Sequence, residues 1–130
     1  MIKYFLFKKP KYLVQRAIRG FSDEDVWNAY YFFAEIIVKV LSQLKKFNNS
    51  YPARLKNFKE WSKVLDKIIT GFKLILENED RILTLNIEEA KKVYKKLSKD
   101  ERKYWLSIRE LKKIERAFNL FKEYFLDFWD

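Results

Sequence analysis

Three consecutive acids, Asp23, Glu24 and Asp25, stand ahead of an aromatic cluster in GFSDEDVWNAYYFFAEI, residues 20–36. Carboxylate oxygens are what hard divalent cations bind, and Glu35, Glu60 and Asp66 are the further acids that two helices would have to bring to such an ion. The spacing supports another role. There is no EF-hand loop, no Glu-x-x-His pair and no repeated Glu-x-x-Glu motif. Ser22 followed by Asp25 is instead a capping-box pattern, and Asp23 and Glu24 suit the positive end of a helix dipole. The triplet is expected to start a helix, and neither a metal nor a cofactor is expected.

The chain contains no His and no Cys. It therefore lacks an imidazole base, a thiolate nucleophile, a disulfide and an ordinary zinc site. Its two glycines, Gly20 and Gly71, lie far apart, so the glycine-rich phosphate-binding and dinucleotide-binding loops are absent too. No enzyme is expected.

Charge is the strongest functional lead. Lys and Arg number 28 against 18 Asp and Glu, a net +10. Lys3, Lys8, Lys9, Lys11, Arg16 and Arg19 precede Gly20 with no acid among them, so the 110 residues after Gly20 hold only +4. Like charges so close together repel unless an anion offsets them. Interleaved with Tyr4, Phe5, Phe7 and Tyr12, they suit a surface that neutralises phosphates and stacks on bases. They equally suit an amphipathic element on an anionic membrane or a solvated face that keeps the chain soluble. A second basic run, Lys91, Lys92, Lys95, Lys96, Lys99, Arg102 and Lys103, is diluted by Glu88, Glu89, Asp100 and Glu101. The partner is expected to be nucleic acid or an acidic protein surface. Lys3 to Arg19 are the first choice of contact, with Lys91, Lys92, Lys95 and Lys96 the second.

The elements that would position these residues are helical. A chain of 130 residues that is 48% hydrophobic and 18% aromatic is the size of one domain and too apolar to be disordered. Two Gly and two Pro leave little material for tight hairpins. Trp27, Tyr30, Tyr31, Ala34, Ile37, Val38, Leu41 and Leu44 recur at helical spacing, which predicts a helix from Ser22 to near Asn48. Val26, Phe33, Ile36, Val40 and Phe47 widen its apolar stripe, so this helix is expected to be central, with neighbours on two sides.

NNSYPARLK, residues 48–56, reads as a loop, and Asn57 with Glu60 caps the next helix. Its core stripe is Trp61, Leu65, Ile68, Phe72 and Ile75. Gly71 inside that pattern implies close packing against another helix. ENEDRILTLN, residues 77–86, reads as a connection. Asn86 with Glu89 starts a third helix. Ser98 with Glu101 repeats the capping pattern, so that region is either a short bend between two helices or the interior of one long one, which periodicity alone does not decide; a break is expected. Tyr104, Ile108, Leu111, Ile114, Phe118, Phe121, Phe125 and Phe128 form the last stripe.

The expected fold is all-α. It is a single-domain bundle of three to five helices over residues 21–130 with an aromatic core that buries Trp27, Trp61 and Phe118. Residues 1–20 form a basic arm or short helix. MIKYFLFKKPKYLV lacks the long apolar run and cleavage site of a signal peptide, and no 18-residue stretch is free of charge. The expected location is cytoplasmic.

RGFSDEDVWN, YPARL, EWSKVLDKIITGF and the ending FNLFKEYFLDFWD together resemble a family of small, uncharacterised proteins of tailed bacteriophages and prophages. The resemblance spans Arg19 to Asp130 and implies a viral origin and an all-helical fold, with no catalytic residue. One departure concerns the position after the Trp of the first motif. Relatives often carry an acid there, and this chain has Asn28, Ala29 and Tyr30. The expected function is that of a non-enzymatic phage accessory protein that binds an anionic partner through its basic arm. The alternatives are a modulator of a host factor, such as an anti-defence protein, and a structural component of the virion.

Overall fold

The computed structural model describes residues 10–129. Seven α-helices follow in order: α1 Pro10–Arg19, α2 Asp23–Trp27, α3 Ala29–Phe47, α4 Phe58–Glu77, α5 Ile87–Lys96, α6 Lys99–Arg102 and α7 Ile108–Tyr124, with a 3₁₀ turn at Phe125–Asp127. The fold is all-α with no strand among the described residues. Ile82 and Trp105 form one isolated parallel bridge. No helix among these residues is long and apolar enough to cross a membrane.

Local chemistry sets most of the boundaries. Pro10 opens α1, where its missing N–H costs nothing. Gly20 closes it at φ 87°, and its N–H donates to the Arg16 carbonyl at 2.9 Å, a left-handed cap that favours glycine. Ser22 and Asp25 make a reciprocal capping box at α2, as do Ser98 and Glu101 at α6. Asn57, Asn86 and Ser107 each accept the backbone N–H three residues on, at the starts of α4, α5 and α7.

Seven helices appear where three to five were expected, because two of the capped starts lead to helices that end about one turn later: α2 stops before Asn28 and α6 at Arg102, so both are short linkers. The body consists of the three long helices α3, α4 and α7. The last of these starts at Ser107, leaving Tyr104 outside the helix and exposed.

The central helix is α4, not the helix after Ser22. α4 packs against both α3 and α7, which make little contact with each other. Its residues Trp61, Leu65, Ile68 and Phe72 are almost fully buried. α7 runs antiparallel to it: Trp61 lies 5.4 Å from Tyr124, and Phe72 lies 4.7 Å from Phe118. Phe128 stacks on Trp61 at 6.0 Å, so the chain's end closes the base of the core. Arg54 fastens the preceding loop there by an ion pair to Asp127 at 2.9 Å and by lying over the Tyr124 ring.

Of the three aromatics expected in the core, Trp61 is buried at 1% exposure and Phe118 is half-buried. Trp27 is 71% exposed. The helix stops at Asn28 and restarts at Ala29, which breaks the register that would have carried Trp27 onto the core face. It rests instead edge-on against Tyr12 at 5.9 Å.

Gly71 marks the tightest point of the layer. A Cβ there would land on Ala117 Cβ, far inside van der Waals contact, and 3.0 Å from the Lys113 carbonyl oxygen. Gly71→Ala should therefore destabilise by about 1–3 kcal/mol despite the roughly 1 kcal/mol that alanine gains in a helix. Thermal denaturation should show the loss, and Ala117→Gly in the same chain should recover part of it.

Candidate functional site

The basic segment is partly neutralised from outside itself. Arg16 grips Asp25 with two bonds, Nε to Oδ2 at 2.7 Å and Nη2 to Oδ1 at 2.5 Å, the forked geometry that makes arginine–carboxylate pairs strong. Its Nη1 lies 3.6 Å from Glu35, which also holds Lys39 at 2.9 Å. Asp25 and Glu35 are both buried. Arg19 pairs with Asp23 at 2.5 Å, and Gln15 bonds both the side chain and the backbone N–H of Asp23.

The acids that offset this segment thus come from the DED triplet and α3, which the absence of acids before Gly20 did not disclose. Arg16 is a structural residue that ties α1 to α2 and α3. Lys11 is exposed, with its ammonium 5.0 Å from the Tyr12 ring centre. Lys3, Lys8 and Lys9 lie outside the described residues. Lys92, Lys95 and Lys96 are exposed along α5, and Lys91 sits 3.5 Å from Glu88. Among the described residues no group of three or more His, Cys, Asp or Glu is placed to hold a metal.

Because α3 and α7 both sit on α4 with little contact between them, an open groove of about 840 Å³ lies between them. Tyr30, Phe33, Ile36 and Ile37 form one wall, and Leu111, Ile114, Phe118 and Phe121 the other, over a floor of Phe72 and Ile75. Residues 81–85 close one end. They are held there by backbone bonds from Ile82 N–H to the Tyr104 carbonyl at 2.8 Å and from Leu106 N–H to the Ile82 carbonyl at 3.4 Å. Arg81 is the one charged residue of the lining, and among the described residues its side chain has no hydrogen bond or ion pair.

The groove's α3 wall continues beyond it. Tyr30, Phe33, Ile37, Val40, Leu44 and Phe47 alternate three- and four-residue steps, the spacing of a helix-pairing seam. Phe33, Val40 and Phe47 are each about 60% exposed. Ile37 and Leu44 are half-buried and pack against the core, so the exposed side of the seam is Tyr30, Phe33, Val40 and Phe47. The seam was visible in the sequence as a second stripe, offset by one from the core stripe Tyr31, Ala34, Val38 and Leu41. Contiguous exposed apolar faces of this kind occur at interaction sites and binding grooves. Compared with protein-family models, curated proteins and solved structures, the chain matches none of them.

Arg16→Ala leaves Asp25 buried without its charge partner and should cost about 3–5 kcal/mol, whereas exposed Lys11→Ala should stay within about 0.5 kcal/mol. Denaturant unfolding of both variants checks this. The hydrogen bond from Arg19, aided by that from Gln15, holds the Asp23 carboxyl below its ordinary pKa. Its contribution is therefore complete above the unfolded-state value and lost as pH falls through the folded one. Arg19→Gln should flatten the acid limb of stability below about pH 4.

Proposed function

We propose that the protein is a non-enzymatic binding module that takes an amphipathic, acid-flanked helix of a partner protein into the groove between α3 and α7. The exposed side of the seam, Tyr30, Phe33, Val40 and Phe47, carries this reading. From Tyr30 to Phe47 it extends about 26 Å at helical rise, a length that a helix covers and a small ligand does not. Its 3–4 alternation matches how an amphipathic helix lays its apolar face into a hydrophobic groove.

Charge favours an acidic occupant over a second copy of this chain. The protein carries +10, and Arg81, the one charged residue of the groove lining, has no ion pair among the described residues. A second copy would set one strongly basic chain against another, and like charges facing one another across an interface are costly. In keeping with the resemblance to tailed-phage proteins, the proposed module is a phage accessory protein acting on a host factor in the host cytoplasm.

A second reading is nucleic-acid binding through basic side chains. It is supported by Lys92, Lys95 and Lys96, which stand exposed on one helix and have no ion pair among the described residues. Its affinity would fall steeply with salt.

The test uses two synthetic peptides of ~18 residues, about five helical turns, with leucine at heptad core positions and either Glu or Lys at the flanks. Isothermal titration calorimetry should show binding of the Glu peptide only. Phe33→Asp, an exposed change that should leave melting nearly unaltered, should weaken it by at least about tenfold, and Arg81→Glu should weaken it less. Binding of neither peptide, or equal binding to the Phe33→Asp protein, would sink the proposal. Equal binding of both peptides would remove the acidic partner.

A further inference from the structure

On the face of the α4–α7 layer turned away from the groove, a depression of about 310 Å³ is lined by Asp66, Lys67, Thr70, Gly71, Lys113 and Arg116. We propose that this depression is a phosphate-binding site, formed by Lys67, Thr70, Lys113 and Arg116 and distinct from the groove.

The close approach at Gly71 creates the site. With no side chain at Gly71, the two helices meet at the Lys113 carbonyl and Ala117, and cations from both are drawn to the rim of one hollow. Separate helices on a basic surface ordinarily keep such charges apart. Lys67, Lys113 and Arg116 are all exposed, and among the described residues none has an ion pair or a side-chain hydrogen bond. The one acid of the lining, Asp66, is held by Lys45 at 2.6 Å, so its charge is already offset. Adding Lys45 gives four cations against one carboxylate, a local charge of +3.

Chemistry narrows the ligand. Arginine offers a planar fork that matches two phosphate oxygens, lysine a compact point charge, and the Thr70 hydroxyl a neutral donor. A carboxylate ligand would leave most of these donors unused, whereas a phosphate presents enough oxygens for all of them. Helical periodicity extends the same face: Lys63 lies one turn before Lys67, and Arg109 one turn before Lys113. A ligand with successive phosphates would find further cations along the layer.

The shared chemistry is the phosphate group, whose source is either a free phosphate compound or a nucleic-acid backbone. Amide NMR titrations with pyrophosphate and with a duplex oligonucleotide separate the two. The expected result is a saturable shift of Thr70, Gly71, Lys113 and Ala117 amides with at least one of them. A Lys67→Gln, Arg116→Gln double variant should weaken that affinity by about tenfold or more. The control is Lys56→Gln with Lys59→Gln, the same change in charge near the start of α4, which should retain it. Binding of pyrophosphate alone assigns a free phosphate ligand. Binding of the duplex, with a salt slope that becomes shallower in the site variant, assigns a nucleic-acid backbone. Two results overturn the proposal: no saturable shift with either probe, or equal losses in the site variant and the control, which would mean net charge alone. The substituted residues are exposed and unpaired, so both variants should melt like the parent protein, and the comparison does not depend on the groove.

Discussion

The bundle depends on the backbone approach of α4 to α7 at Gly71 and Ala117. Only a residue without a Cβ admits it, and once the helices are that close the aromatic pairs on either side fall into register. Phe72 meets Phe118, and Trp61 meets Tyr124 and Phe128. Burial of such rings is the main favourable term in a core of this composition. The same contact gives the layer two unlike faces. One side has an apolar trough, because α3 joins α4 on the flank with little contact to α7. The other has a shallow hollow rimmed by cations of both helices.

A second constraint is electrostatic. Asp25 and Glu35 are buried carboxylates in a strongly basic chain, and burying charge is costly unless it is paired and hydrogen-bonded. Arg16 meets both requirements for Asp25, whose Oδ2 also accepts the Ser22 N–H at 2.8 Å as part of the capping box. One carboxylate therefore both starts α2 and anchors α1. Part of the positive charge that looks available for a partner is committed to the fold. Many of the uncommitted cations of the described chain lie on α4, α5 and α7.

What was legible in the sequence was local. Ser22, Asn57, Asn86 and Ser98 announced their helix starts because capping depends on residues only three positions apart. Gly71 announced a close helix crossing because a glycine inside a strong helical stripe has few other causes. The break near Ser98 rested on its capping pair with Glu101, because periodicity alone does not separate a bend from one long helix. The stripe through Trp61, Leu65, Ile68 and Phe72 identified a core face because one helix presents it whatever surrounds it.

The sequence by itself determined the helical class, the caps, the α4 stripe and the absence of histidine and cysteine chemistry, since each follows from residue type and short-range spacing. Only the tertiary structure decided which of α3's two adjacent stripes is covered, which acid neutralises which arginine, and that α4 rather than the helix after Ser22 is central. These depend on where other elements stop. A one-residue interruption at Asn28 turned Trp27 outward, and the scant contact of α7 with α3 left Phe33 in the open. Periodicity reports that a face is apolar, and burial requires a neighbour whose position is set by the rest of the chain.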